Sequence, residues 1–313
     1  MRIMTGPQYV SWNYTYACNF NCDHCYSRAP SYPDELTTDQ YHEIAAQLVD
    51  ARVFTVALGG GEVVMRRDCF DILARLNAAG IETILTTNGW FVDDALARRL
   101  RDTGLSRLYI SLDSPQPHEH DMFRRRQGSY ARVLRAMSAS VESGLSVHLS
   151  TVLTSGNIDD LDGFVALAEE YGLDGINFKR FRPAGNGLLS RGQYELRHEQ
   201  EPRLLDSVAH LQQRSALNIS LNYGPEPGDI DSGCSCGISA LAIRPNGDVA
   251  PCSYGETVIG NLMRQSLRAL WRDAPVLHAM RAGKGCLALT SQLRPSNPYL
   301  RRRGELLTVI SAS

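Results

Sequence analysis

Four times between residues 68 and 172 a helical pattern runs directly into a glycine. The spans 68–79, 93–103, 130–143 and 159–171 stop at Gly80, Gly104, Gly144 and Gly172. Glycine takes up the left-handed conformation that ends a helix without steric cost. A further pattern, 38–50, sets Ile44, Leu48 and Val49 at helical spacing behind a Thr-Thr-Asp start. Between the helices lie short β-rich runs at 9–16, 53–58, 81–86, 107–112, 146–153 and 175–179. They read as apolar on both faces, as parallel strands covered by helices are. Alternating strands and helices of this kind predict an α/β fold: a partial (β/α)6 TIM-like barrel with its working groups at the C-terminal ends of the strands. After Phe181 the texture changes to a loop at 182–187, a helix over 201–216 and a Gly/Pro/Asp-rich linker over 223–233. The expected division is a barrel over 1–222 and a small C-terminal domain over 223–313.

Eight cysteines are spread unevenly over this plan. Cys18, Cys22 and Cys25 stand at the front, Cys69 is alone, and Cys234, Cys236, Cys252 and Cys286 fall in the last quarter. A disulfide framework belongs to smaller chains with an export signal, and residues 1–10 have no apolar h-region. No apolar run approaches the length of a membrane span. A formal net charge of −2 over 313 residues offers no basic field for a nucleic acid or an anionic membrane. The expectation is a soluble cytoplasmic protein with no nucleic-acid and no membrane partner, whose clustered cysteines ligate a metal or cofactor.

Cys18, Cys22 and Cys25 have the spacing C-x3-C-x2-C in the loop after the first strand. Three thiolates so spaced can face one metal centre, and thiolate is the soft ligand of iron–sulfur clusters. Three ligands on a four-iron cube leave one iron open for a substrate or cofactor. Zinc is the competing reading, but a structural zinc wants a fourth ligand, and adjacent His24 and Cys25 cannot easily share one ion.

This loop resembles the signature of the radical S-adenosylmethionine superfamily, and the resemblance covers about residues 9–185. It implies a catalytic [4Fe–4S] cluster on the three cysteines. The open iron would chelate the amino and carboxylate groups of S-adenosylmethionine, whose reductive cleavage yields a 5′-deoxyadenosyl radical that takes a hydrogen atom from substrate. Gly60-Gly61-Glu62 looks like the family's Gly-Gly-Glu motif at the cofactor's methionyl amino group, with Val63 where proline is frequent. Glycine lets backbone approach closely, and a carboxylate pairs with an ammonium. Asn88 in Thr87-Asn88-Gly89, and Ser111 and Asp113 in Ser111-Leu112-Asp113, resemble the ends of strands three and four, implying contacts to ribose hydroxyls or the cofactor carboxylate. Arg124, in Phe123-Arg124-Arg125-Arg126, stands where relatives carry a cofactor- or substrate-binding arginine; a solvated basic run is the alternative.

The later cysteines surround a hairpin signal. Cys234-Ser235-Cys236-Gly237 is followed by Pro245-Asn246-Gly247-Asp248, a turn between two short strands, then by Pro251-Cys252, Gly260-Asn261, Trp271 and Cys286. Such a hairpin would carry Cys234 and Cys252 toward each other. The order resembles the auxiliary iron–sulfur domains known as SPASM and, in shorter form, twitch. The resemblance implies Cys234, Cys252 and Cys286 as ligands of one auxiliary [4Fe–4S] cluster; a small zinc hairpin is the competing reading. Cys236 is either the fourth ligand or a free thiol that returns a hydrogen atom to the substrate. Cys69 reads as a structural, partly buried cysteine.

Because the first cluster begins at residue 18, no room is expected for an N-terminal peptide-recognition domain, which favours a small-molecule substrate. Size and a single auxiliary cluster resemble the aminoglycoside-pathway twitch epimerases and dehydrogenases. The expected activity is therefore epimerisation of an amino sugar or aminocyclitol, with dehydrogenation of a similar alcohol or maturation of a ribosomal peptide as alternatives. Glu226, Asp229 and Asp231 could attract a cationic amino sugar, although a solvated linker also explains them. The implied redox partner is an external electron donor such as flavodoxin or ferredoxin.

Overall fold

The computed structural model describes residues 6–28, 33–222 and 234–282. Cys286 and the acidic residues Glu226, Asp229 and Asp231 lie outside the described residues. The strands are β1 (Tyr9–Thr15), β2 (Thr55–Gly60), β3 (Glu82–Thr87), β4 (Arg107–Ser111), β5 (Val147–Leu153), β6 (Gly175–Arg180), β7 (Asn218–Asn222), β8 (Ala240–Ile243), β9 (Asp248–Ala250) and β10 (Gly260–Asn261). The helices are α1 (Thr38–Asp50), α2 (Cys69–Ala78), α3 (Asp94–Asp102), α4 (Pro117–Phe123), α5 (Ser129–Glu142), α6 (Leu161–Glu170), α7 (Arg191–Tyr194), α8 (Glu201–Arg214), α9 (Leu267–Asp273) and α10 (Pro275–Arg281). One sheet runs β10-β9-β8-β1-β2-β3-β4-β5-β6-β7. From β8 to β7 every pairing is parallel; β9 and β10 are antiparallel additions. The six predicted strands and their helices are present in the expected order.

Local chemistry sets the element ends. Thr37 caps α1 in a reciprocal box with Gln40, and the Asp93 carboxylate accepts from the Leu96 N–H at the start of α3. Gly80, Gly104, Gly144 and Gly172 all have positive φ, between 66° and 84°, and stop their helices as predicted. Under β1 and α1 the rings of Trp12, Tyr14 and Tyr41 pack with centroids 4.7–5.2 Å apart. Cys69 is fully buried in this core, the structural role its sequence context suggested.

Three features differ from the sequence expectation. The strands are not apolar on both faces. Their helix-covered faces are, with Leu108, Ile110, Leu149, Ile176 and Phe178 buried. Their inward faces carry Tyr109, Ser111, His148, Ser150, Asn177 and Lys179, which line a cavity. A barrel that encloses a chamber needs polar residues where a filled barrel would have hydrophobic layers. Helix α4, started by Pro117 at its first turn, and strand β7 went unpredicted; both are short enough to leave little periodicity. The helix predicted over 201–216 ends at Arg214, and β7 follows to pair with β6.

The C-terminal segment continues the barrel sheet. β8 adds in parallel to β1, with Tyr9 opposite Ala240 and Trp12 opposite Ile243. The predicted turn at 245–248 joins β8 to β9: Gly247 has φ of +81°, and Asn246 Nδ2 donates to Asp248 at 2.8 Å. The buried indole of Trp271 in α9 anchors the segment to the core. Among the described residues no helix is long and apolar enough to cross a membrane.

Candidate active site

Gly60 and Gly61, at the end of β2, pass against the start of the first cysteine loop. The Gly61 N–H donates to Thr15 O at 2.7 Å and the Glu62 N–H to Ala17 O at 2.8 Å. A Cβ on Gly61 would stand 2.1 Å from Ala17 O, and Gly60 has φ of +103°, so both positions need glycine. The turn thereby braces the backbone that presents Cys18.

Glu62 is only 1% exposed. Its carboxylate accepts from Thr87 Oγ1 at 2.7 Å and from the Asn88 N–H at 2.8 Å. Burial pushes it up to about 7, against the opposing pull of these bonds. Asn88 in turn donates from Nδ2 to Asn19 Oδ1 at 2.8 Å and reaches Cys18 Sγ at 3.9 Å. The carboxylate thus clamps the ends of β2 and β3 and, through Asn88, the cysteine loop. Glu62→Gln keeps one oxygen for the Asn88 N–H but turns an amide donor toward Thr87 Oγ1, so the Thr87 hydroxyl loses its acceptor, and a stability loss of about 1–3 kcal/mol is expected in chemical denaturation.

The run 124–126 is split by the fold. Arg125 and Arg126 are exposed, and Arg126 lies over the Trp90 ring. Arg124 turns inward, is 6% exposed and lines the cavity. Its Nε and a terminal nitrogen each stand 2.8 Å from Asp113 Oδ2, while Asp113 Oδ1 accepts from the Val152 N–H at 2.9 Å. Burial alone would raise the Asp113 carboxyl; the Arg124 charge, then His24 and His120, hold it below its usual range. Asp113 does not line the cavity. Its oxygens are committed to Arg124 and the backbone, so it positions Arg124. Ser111 does face the cavity.

Two histidines, His24 half-buried and His120 buried, pack beside this pair. His24 stacks on Phe123 at 4.2 Å, with Nε2 3.9 Å from Asp113. His120 Nδ1 faces the Asp113 N–H at 3.2 Å. Burial, then the Arg124 charge, lower His120 to about 3. The unfolded chain therefore binds a proton near pH 6.5 that the native state refuses until about 3, and stability falls as pH drops through that window, by about 1.4 kcal/mol per unit. His24, lowered by burial to about 4, adds an equal loss, while Glu62, raised to about 7, gains stability as pH falls and offsets one of the two. The thermal midpoint is therefore expected to decline from about pH 6.5, and a flat profile down to about pH 4.5 would contradict this.

Cys18, Cys22 and Cys25 line one side of a cavity of about 700 Å³. Burial pushes Cys22 up to about 12 and raises Cys18, so as free thiols they stay protonated. A coordinating metal deprotonates such thiols outright. The Phe20 N–H stands 3.4 Å from Cys18 Sγ, as suits a donor to thiolate, and Ser27 Oγ, which donates to Gly60 O, lies 3.3 Å from Cys25 Sγ. Soft donors, hydrogen bonds to sulfur and a neighbouring guanidinium fit an anionic iron–sulfur cluster.

The second set of thiols converges as the hairpin predicted. Cys236 lies between Cys234 and Cys252 and shares hydrogen bonding with both. Protons are shared unequally: Cys234 is lowered to about 6 and Cys252 is also lowered, in each case first by Cys236, which is itself raised. The Tyr254 N–H stands 3.4 Å from Cys252 Sγ. Three thiols so placed suit the same soft-metal chemistry. Cys236 and Cys252 open onto the same cavity as the first set. The rings of Tyr26 and Tyr254, one beside each set, pack 5.0 Å apart.

Residues 12–168 match the Radical SAM superfamily. The chain belongs to the radical SAM superfamily. Residues 234–292 match SPASM, an iron–sulfur cluster-binding domain. The chain is 26% identical over 299 residues to the AdoMet-dependent heme synthase of Methanosarcina barkeri, covering 88% of this chain and 85% of that one. It is 29% identical over 301 residues to the mycofactocin maturase MftC of Mycolicibacterium smegmatis, covering 93% and 76%. Its fold is similar to that of Streptococcus suis SuiB bound to the precursor peptide SuiA, with a TM-score of 0.74, 18% identity and coverage of 90% and 68%. This radical SAM enzyme thus has S-adenosylmethionine, a catalytic [4Fe–4S] cluster and auxiliary iron–sulfur as its cofactors. The likeness to aminoglycoside-pathway enzymes expected from the sequence draws no support from these relatives.

Proposed function

We propose that the enzyme oxidises a peptide substrate at one carbon. The observation that carries this reading is the shared cavity, onto which Cys18, Cys22 and Cys25 and also Cys236 and Cys252 open. Bound there, the cofactors supply a hydrogen-atom abstractor and an acceptor for the electron left on the substrate. The chain's own groups hold the reactants: Gly60, Gly61 and Glu62 shape the cofactor loop, Asn88 and Ser111 offer polar contacts, and Arg124 presents a fixed positive charge backed by Asp113. Positioning of this kind supplies much of a radical enzyme's selectivity.

Cys236 is assigned as a ligand beside Cys234 and Cys252, with Cys286 as the fourth; its place between two thiols supports this over a free hydrogen donor. One auxiliary cluster is the number four cysteines allow. Cys236→Ala is expected to lower auxiliary iron, read by iron and sulfide analysis; unchanged iron would return Cys236 to the donor role. We keep the domain boundary at 222/223 and an external donor such as flavodoxin or ferredoxin.

Peptide substrates are supported by the maturase relative and by the fold shared with SuiB. They displace the amino-sugar epimerase as the leading reading. A tetrapyrrole is a second reading, favoured by the heme synthase relative. The test is anaerobic incubation of reconstituted enzyme with S-adenosylmethionine, reductant and short peptides encoded beside its gene. A product two electrons more oxidised, without solvent deuterium at the reacting carbon, is expected. A product of unchanged mass that takes up solvent deuterium would establish epimerisation instead.

A further inference from the structure

Of the 32 lysines and arginines only two are lysines, Lys179 and Lys284. Lys179 sits on the inward face of β6, half-buried, and lines the cavity. Its register neighbours are Val152 on β5 and Asn222 on β7. The next inward row of the sheet is Ser111, Ser150, Asn177 and Ser220, four polar side chains on four adjacent strands. The ammonium stands 5.9 Å from the centre of the Tyr109 ring. The other strongly basic groups in the cavity wall are committed: Arg107 pairs with Glu82 and Arg124 with Asp113. Among the described residues no carboxylate lies within ion-pair distance of Lys179.

We propose that Lys179 anchors a carboxylate of the substrate in the polar half of the cavity, against the hydroxyl and amide row of β4–β7. A cation facing a low-dielectric chamber gains most from a partner that also arrives there, and the chain supplies none of its own. The surroundings are neutral donors with one free positive charge, which suits a monoanion better than a phosphate. Burial, partly offset by Asp113, lowers the amine to about 8, so the group is still mainly charged at neutral pH. Arg124, at the end of α4, is left to the cofactor. The proposal rests on the reading of this cavity as the substrate chamber, and it holds for any carboxylate-bearing substrate, peptide or otherwise.

The scarcity of lysine makes the test direct. Reconstituted holoenzyme is trace-labelled with acetic anhydride at constant ionic strength, and acetylation of Lys179 and Lys284 is read by mass spectrometry. The probes are propionate, its neutral isostere propionamide, and S-adenosylhomocysteine. Propionate at several times its dissociation constant is expected to slow labelling of Lys179 by about fivefold or more. Propionamide and S-adenosylhomocysteine are expected not to protect. No protection by propionate, or equal protection by propionamide, overturns the proposal. Protection by S-adenosylhomocysteine also overturns it, because the lysine then serves the cofactor's own carboxylate. The same samples, given S-adenosylmethionine and dithionite, report 5′-deoxyadenosine. Its formation without propionate protection removes the lysine anchor but keeps the function, and its absence removes the function itself.

Discussion

Alanine at Cys18, Cys22 and Cys25 together is expected to remove about four irons per chain and to abolish formation of 5′-deoxyadenosine, while the auxiliary iron remains. The three thiols line one wall of the cavity, and burial keeps Cys18 and Cys22 protonated unless a metal takes their protons. Nothing else described in that wall offers soft ligands. The loop should keep its course without them, because Gly61 and Glu62 hold its start through Thr15 and Ala17, and Asn88 holds Asn19. Its loss is therefore a loss of chemistry and not of fold, and circular dichroism should be unchanged. Iron and sulfide analysis after anaerobic reconstitution makes the measurement. Iron falling from about eight to about four per chain supports two four-iron clusters. Zinc in place of iron, or an iron content untouched by the substitution, would sink the catalytic assignment.

The second large effect is expected at Asp113 and Arg124. Each is buried, and each is the other's counter-charge at 2.8 Å. Asp113→Asn or Arg124→Met leaves one charge stranded, which costs about 3–5 kcal/mol. Removing both leaves no charge uncompensated, so the double variant should be more stable than the sum of the two single losses predicts. The double-mutant cycle, followed by chemical denaturation, reads this coupling. Affinity for S-adenosylmethionine separates the roles. Arg124→Met should weaken it directly, because Arg124 faces the cavity, whereas Asp113→Asn should weaken it less, because the guanidinium is loosened but present. Single variants that each cost under about 1 kcal/mol would show that the pair is not the wall's anchor.

How much of this was legible depends on range in the chain. The cysteine loop, Gly60-Gly61-Glu62 and the turn at 245–248 are short spacings, each stating its geometry within a few residues. Gly61 must be glycine because Ala17 O stands where a Cβ would go, and that demand leaves a mark at one position. The glycine stops of α2, α3, α5 and α6 are local in the same way. Short elements with little apolar periodicity, α4 and β7, escaped.

The amino-acid sequence by itself determined the family, the order of strands and helices and which cysteines form two groups, since all of these are written in near-neighbour patterns. Only the tertiary structure decided that Arg124 turns inward while Arg125 and Arg126 face solvent, that Asp113 serves Arg124, and that both cysteine groups open onto one cavity. It alone placed Lys179 above the row Ser111, Ser150, Asn177 and Ser220, because that row exists only once four strands, separated by helices, lie in register. Contacts between residues tens of positions apart are set by burial and sheet register, and no single stretch of chain carries their signal.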